Sequence, residues 1–269
     1  MTDMLRTSLA PVNDAAWNAI REEAVRTLKG HLSARRIVPV DGPHGWTHAA
    51  VNLGRLRPVE RDAVAGVAVG VREVLPLVEA RVPFSLDLWD LDNAERGAAD
   101  LDLDAVADAA RRLALFEEGA VYGGFADGCV VGMAERSPHE PVAFGKSAEA
   151  LVQAVVQGVL VLQEAGIGGP YALVLDTETY TRASGGDVGG YPIRGRLAEQ
   201  AGAGLHWSPA VDGALVVSTR GGDFELSIGQ DAAIGYQAHA KGRVELFLTE
   251  SFTFRVIEPA AAVVLRAGK

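Results

Sequence analysis

Alternation of apolar and polar positions is strongest toward the end of the chain. Phe224, Leu226 and Ile228 fall on one side of a short run, with Glu225 and Ser227 on the other. Val244, Leu246 and Leu248 alternate with Glu245, Phe247 and Thr249, and Phe252, Phe254 and Val256 alternate with Ser251, Thr253 and Arg255. A period of two sends successive side chains to opposite faces of a strand. Residues 214–219 and 261–265 add two apolar runs, the second placed after Pro259, while Gly221-Gly222 and Lys241-Gly242 supply turns. The stretch 214–267 therefore predicts one sheet with a single packed face, a scaffold without catalytic residues.

Upstream the spacing changes to three and four. Trp17, Ile20, Ala24, Leu28 and Leu32 form one helical stripe, with Arg21, Glu22, Arg26 and Lys29 off it. Asn13 is the expected N-cap, Asp14 suits the positive end of the helix, and the helix is expected to stop near Ser33. The stripe either packs on the protein's own core or docks a partner peptide. Residues 46–56 and 64–74 predict two strands joined across 57–63, a projecting hairpin. A hairpin is marginal alone, and with no helix nearby to cover it, another subunit is the candidate surface.

Asp102 or Asp104 caps a long helix reaching Tyr122, with Val106, Ala109, Ala110, Leu113, Phe116, Glu117 and Ala120 on its inner side. Pro138 and Pro141 then mark a change of organisation. Ser147 caps a helix carrying Leu151, Val155, Val159 and Leu162, ended by Gly166. Residues 171–175 read as a buried strand, 178–182 as a short helix and 193–200 as another. Between them, residues 184–190 hold four glycines in seven positions and are expected to be the most flexible stretch of the chain. The whole reads as an α/β insert ahead of the final sheet.

Composition narrows the function. The 269 residues, 48% of them hydrophobic, allow one large domain or two modest ones with a sizeable core. A formal net charge of −10 argues against nucleic acid as the main partner. The single cysteine, Cys129, excludes an internal disulfide framework and fits a reducing compartment. The first residues lack the continuous apolar core of a secretory signal. The longest apolar candidate, 148–165, contains Glu149 and Glu164, so no membrane partner is expected.

The chemical motifs fail one by one. Asp87, Asp90 and Asp92 lack the glycine and distal glutamate of a calcium loop. Trp89 beside them either stacks a flat ligand or serves packing and interfaces. Glu117-Glu118 has no Glu-x-x-His partner of the kind iron-binding bundles use. Gly145-Lys146-Ser147 resembles the end of a P-loop, but Glu140 stands where the first glycine belongs, and Trp207 spoils the pattern begun by Gly202 and Gly204. His31, His44, His48, His139, His206 and His239 show no ligand spacing. Cys129 has no basic neighbour in sequence and reads as a structural thiol. No catalytic residue, metal site or cofactor is expected.

Several short segments, in order along nearly the whole chain, nevertheless match one family. They are Leu9-Ala10-Pro11 before Trp17, Gly42-Pro43-x-Gly45-Trp46, Arg81-x-Pro83-Phe84, and Leu91-Asp92-Asn93-x-Glu95-Arg96-Gly97. Further on come Gly169-Pro170-Tyr171, Tyr191-Pro192, Arg220-Gly221-Gly222-Asp223-Phe224, Gly229-Gln230-Asp231, Ile234-Gly235-Tyr236 and Glu250-Ser251-Phe252-Thr253-Phe254. On these the chain resembles the encapsulin, or linocin-type, nanocompartment shell proteins.

The resemblance implies an α+β, HK97 phage-capsid-like fold with a peripheral domain, an extended loop and an axial domain. It assigns 1–44 to the N-terminal helix and part of the peripheral domain, and 45–71 to the extended loop. Residues 72–135 become peripheral domain with a spine helix, 136–220 the axial domain and 221–269 the peripheral sheet. It further implies a homo-oligomer of sixty copies in the cytoplasm. Such a shell encloses a cargo enzyme bearing a C-terminal targeting peptide, such as a dye-decolourising peroxidase or a ferritin-like protein, with roles in oxidative stress and iron storage. The implied cargo groove comprises Leu28, Leu32, Arg35, Ile37 and Ile234. The implied five-fold pore comprises Ser184, Gly185, Gly186, Asp187, Val188, Gly189 and Gly190. Family members often carry a large aromatic where this chain has Leu28 and Asp where it has Pro39, which implies a different cargo peptide. A stand-alone soluble hydrolase is the alternative from another class.

Overall fold

Residues 4–59, 64 and 66–268 are described by a computed structural model. Helix α1, Asp14–His31, opens the fold; Asn13 caps it by accepting from Ala16 N at 2.8 Å. The predicted stripe is buried along its whole length, because it faces helix α3 and the first of two five-stranded sheets. After strand β1, Val40–Asp41, come β2, Ala50–Pro58, and β3, Gly70–Pro76, which pair only with each other. This is the predicted hairpin, with its second strand starting later than expected. Gly66, at φ 79°, and a hydrogen bond from Val67 N to Val64 O turn the chain where the strand was expected to begin. Most of the expected connection, residues 60–63, lies outside the described residues.

Strand β4, Val78–Asp87, leads into α2, Leu88–Glu95, and then α3, Asp104–Tyr122. Neither expected cap takes the N-cap position: Leu103 holds it without a side-chain hydrogen bond, Asp104 is the first helical residue, and Asp102 Oδ1 accepts from Asp104 N at 3.2 Å. A short α4, Met133–Arg136, and β5, Val142–Phe144, precede α5, Ala148–Glu164, which Ser147 caps through Ala150 N. Strand β6, Tyr171–Leu175, and helix α6, Thr177–Gly185, follow. Next come β7, Asp187–Val188, and β8, Tyr191–Pro192, then α7, Ile193–Ala201, and β9, Gly202–Trp207. The chain ends with β10, Ala214–Ser218; β11, Phe224–Ile228; β12, Ala233–Ala240; β13, Arg243–Val256; and β14, Ala262–Ala267.

The expectation of one sheet over 214–267 is overturned. Strands β1, β11, β13 and β12 form the first sheet in that order, with β4 also paired to β13. Strands β10 and β14 belong instead to a second sheet, ordered β5-β14-β10-β6-β9. The alternating strands and the continuous apolar ones part company for a physical reason. Every residue of β6 and β10 is buried, as expected where helices cover a sheet, here α5 and α7. Two turns carry the chain between the sheets. One uses Gly221 and Gly222, both at positive φ; the other is the 3-10 turn Pro259–Ala261.

The glycine-rich segment 184–190 is also more ordered than expected. Helix α6 runs through Ser184 to Gly185, and β7 and β8 then form a miniature hairpin. Gly189 and Gly190, at φ 63° and 79°, are the two turn residues, and positive φ at both is what a tight two-residue hairpin demands. The glycines here specify a turn and do not loosen the chain.

Candidate functional site

The end of α1 delivers the N-terminal candidates. Leu28 and Leu32 share one hydrophobic cluster with Ile234 of β12, and all three are nearly buried, at 8%, 8% and 9% exposure. Ile37 is buried too, but in the other cluster, alongside Val38 and the strands of the second sheet. The family resemblance grouped these side chains; the fold gathers three and turns the fourth toward the opposite core.

Arg35 sits between the two clusters, on the 3-10 turn Ala34–Arg36 that follows α1. Its guanidinium is the hub of a charged network. Nε donates to Glu117 Oε1 and Oε2 at 2.9 and 3.0 Å, and Nη2 to Glu117 Oε2. Nη1 donates to Asp231 Oδ1 at 2.7 Å and Nη2 to Glu250 Oε2 at 3.1 Å. Burial works against the Arg35 charge, but the hydrogen bonds and charges of Glu117, Asp231 and Glu250 together outweigh it and raise its pKa. Glu117 and Glu250 are fully buried. Burial pushes both carboxyls up, Glu250 well above its ordinary value, with the charge of Glu117 adding to the shift. One cation cannot compensate three nearby carboxylates, two of them without water, so the network favours retention of a proton.

A third buried acid lies one residue after Glu117. Glu118 accepts from Ala34 N and Ser208 Oγ, each at 2.7 Å, and from Ser33 Oγ. Ser33 Oγ is also 2.7 Å from Tyr122 Oη. Burial raises the Glu118 pKa, against the opposing effect of these donors. Glu118 thereby ties α3 to the turn after α1 and to the end of β9. Sequence analysis put Glu117 on the inner face of α3 but missed this network. The available signals were a carboxylate four residues after Leu113 on an apolar face and Glu250 inside an otherwise well-packed strand.

The other candidate, 184–190, comprises the last residues of α6 and the tip that follows it. Asp187 is exposed, and its Oδ1 accepts from Gly190 N at 3.1 Å. Arg194 Nη1 donates to Ser184 Oγ at 3.0 Å, bracing the tip against α7. Tyr191 beside it is 68% exposed. Trp89 on α2 stands 78% exposed and carries none of the packing its size would suit.

The architecture has counterparts among solved structures. A virus-like particle from Pyrococcus furiosus superposes over 93% of this chain and 98% of its own, with a TM-score of 0.64 at 16% identity. The Mycobacterium phage Bobi matches over 89% of this chain and 91% of its own, with a TM-score of 0.58 at 13% identity. The two-sheet body with its projecting hairpin is thus an HK97-like capsid fold.

Residues 1–253 match the family described as encapsulating protein for peroxidase. A type 1 encapsulin shell protein of Mycolicibacterium paratuberculosis is 41% identical over 97% of this chain and 98% of its own. That of Rhodospirillum rubrum is 41% identical over 99% and 97%, and that of Mycobacterium tuberculosis 39% identical over 97% and 98%. The chain belongs to the encapsulin shell-protein family. Its role is that of a self-assembling shell subunit, structural and not enzymatic. Among the described residues, no helix is long and apolar enough to cross a membrane.

Proposed function

We propose that sixty copies of this chain close into an icosahedral shell in the cytoplasm, each hairpin β2–β3 lying on a neighbouring subunit. The observation that carries this reading is the hairpin's uncovered apolar surface. Leu56 is 65% exposed, Val71 47% and Val74 49%. A two-stranded ribbon is not stable by itself in water, and closed symmetry is the economical way to bury the same surface on every copy.

The shell encloses a cargo enzyme, a peroxidase or a ferritin-like protein, held by its C-terminal peptide against the lumenal face. Leu28, Leu32 and Ile234 form the floor of that groove, with Arg35 at its end; Ile37, which packs in the other core, is left out of it. The tip 184–190 lines the five-fold opening, so that Asp187 repeats as a ring of carboxylates. The assembly is tested by shortening the hairpin to a two-residue turn between Ala50 and Pro76. Soluble subunits or small oligomers are expected by size-exclusion chromatography and negative-stain microscopy. Intact shells from the shortened chain would overturn the hairpin's role.

A further inference from the structure

The outer edge of β12 is already occupied by the chain's own start. Strand β12 ends its sheet, so one side of its backbone is open to another strand. Tyr236 N donates to Leu5 O at 2.7 Å across that edge. Arg6 then takes a left-handed conformation, at φ 52°, and the 3-10 turn Thr7–Leu9 carries the chain along β12 toward α1. Ala10 and Val12 pack on the cluster that holds Leu28, Leu32 and Ile234, as do Ala232 and Tyr236. Residues 4–12 thus run beside the edge of β12 and pack, through Ala10 and Val12, on the cluster to which the groove side chains belong.

This segment is lightly held. Met4 is 50% exposed and Leu9 64%, no residue of the turn Thr7–Leu9 is buried, and Arg6 gives that turn no side-chain cap. A side-chain cap comes only afterwards. Asn13 caps α1 through Ala16 N and donates from Nδ2 to Leu91 O at 3.2 Å, which fixes the start of α1. The segment also has the chemistry of an edge-binding peptide. It is short, carries aliphatic residues at Met4, Leu5, Leu9 and Val12, and has no acidic residue.

We propose that residues 4–12 are a displaceable cover on the edge of β12, competing with an extended cargo peptide for the same apolar floor. This rests on the groove reading above. A site closed most of the time binds its ligand more weakly by the fraction that is open, so a cover closed nine times in ten costs about tenfold in apparent affinity.

The test supplies the cover in trans. A fluorescent protein ending in Met-Leu-Arg-Thr-Ser-Leu-Ala-Pro, the sequence of residues 4–11, is co-expressed with three shells: intact, lacking residues 2–10, and Leu5→Asp. The deletion and Leu5→Asp shells are expected to retain about tenfold more reporter per shell than the intact one. Adding Ile234→Ser to the deletion is expected to return capture to the intact level. Equal capture by all three shells overturns the proposal, as does capture by the deletion shell that Ile234→Ser leaves unchanged. Native cargo loading that is the same in intact and deletion shells, while the reporter discriminates them, overturns the competition. That outcome puts the error in the groove assignment and not in the contact between Leu5 and Tyr236.

Discussion

Glu250 Oε2 lies 3.1 Å from Arg35 Nη2, while its second oxygen, Oε1, is buried without a hydrogen-bond partner among the described residues. A fully ionised carboxylate tolerates an orphan oxygen in the interior badly. Protonated, Glu250 presents less charge to the same site, which is why burial raises its pKa well above 4.5. An acid held more tightly to its proton in the fold contributes stability that is complete below the unfolded value. That stability is lost as pH rises through the raised folded value. The protein is therefore expected to lose stability toward alkaline pH, at up to about 1.4 kcal/mol per pH unit for one proton. Glu250→Gln is expected to flatten that loss, read as apparent Tm at a fixed scan rate between pH 5 and 9. A variant whose Tm falls as steeply as the parent's would contradict the assignment.

Arg35→Met is expected to act in the opposite sense. It strips the cation from Glu117 and Glu250, and breaking a buried pair from one side costs about 3–5 kcal/mol. Lower thermal stability and poor assembly are expected, with partial recovery when Glu117→Gln is added. A stable, assembled but empty shell would instead show that Arg35 serves only the cargo.

Ile234→Ser is expected to leave shells assembled and reduce their content of co-expressed native cargo. Each fully buried aliphatic anchor is worth about 1.5–3 kcal/mol, so losing one lowers loading at least several-fold. Normal filling would remove Ile234 from the groove, and failure to assemble would make it core.

Asp187→Lys is expected to slow ferrous iron entry into shells loaded with a ferritin-like cargo, because a carboxylate ring favours cations and a lysine ring repels them. An unchanged rate of iron oxidation would exclude the ring from the path.

The sequence made some of this legible because local signals and burial agreed. The α1 stripe, the Ser147 cap and the Tyr171–Leu175 strand each follow from spacing or apolarity alone. The division of the final strands between two sheets was hidden, since neighbours in sequence usually pair and β10 and β14 are separated from their partners by long connections. Glycine count misled at 184–190, where Gly189 and Gly190 meet the demands of one turn. Helical spacing placed Leu28 and Leu32 on the buried α1 stripe, while their assignment to cargo came from the family resemblance. Spacing gave no access to Glu117, Asp231 and Glu250 meeting on Arg35, because those residues are joined only by the fold.

Assembly itself is the claim on which the rest depends. The purified intact chain is best examined by mass photometry together with negative-stain microscopy. Hollow, closed particles tens of nanometres wide, of mass matching sixty copies of the 28.3 kDa chain, are expected. A single species near 28.3 kDa, with no particles on the grid, would contradict the account.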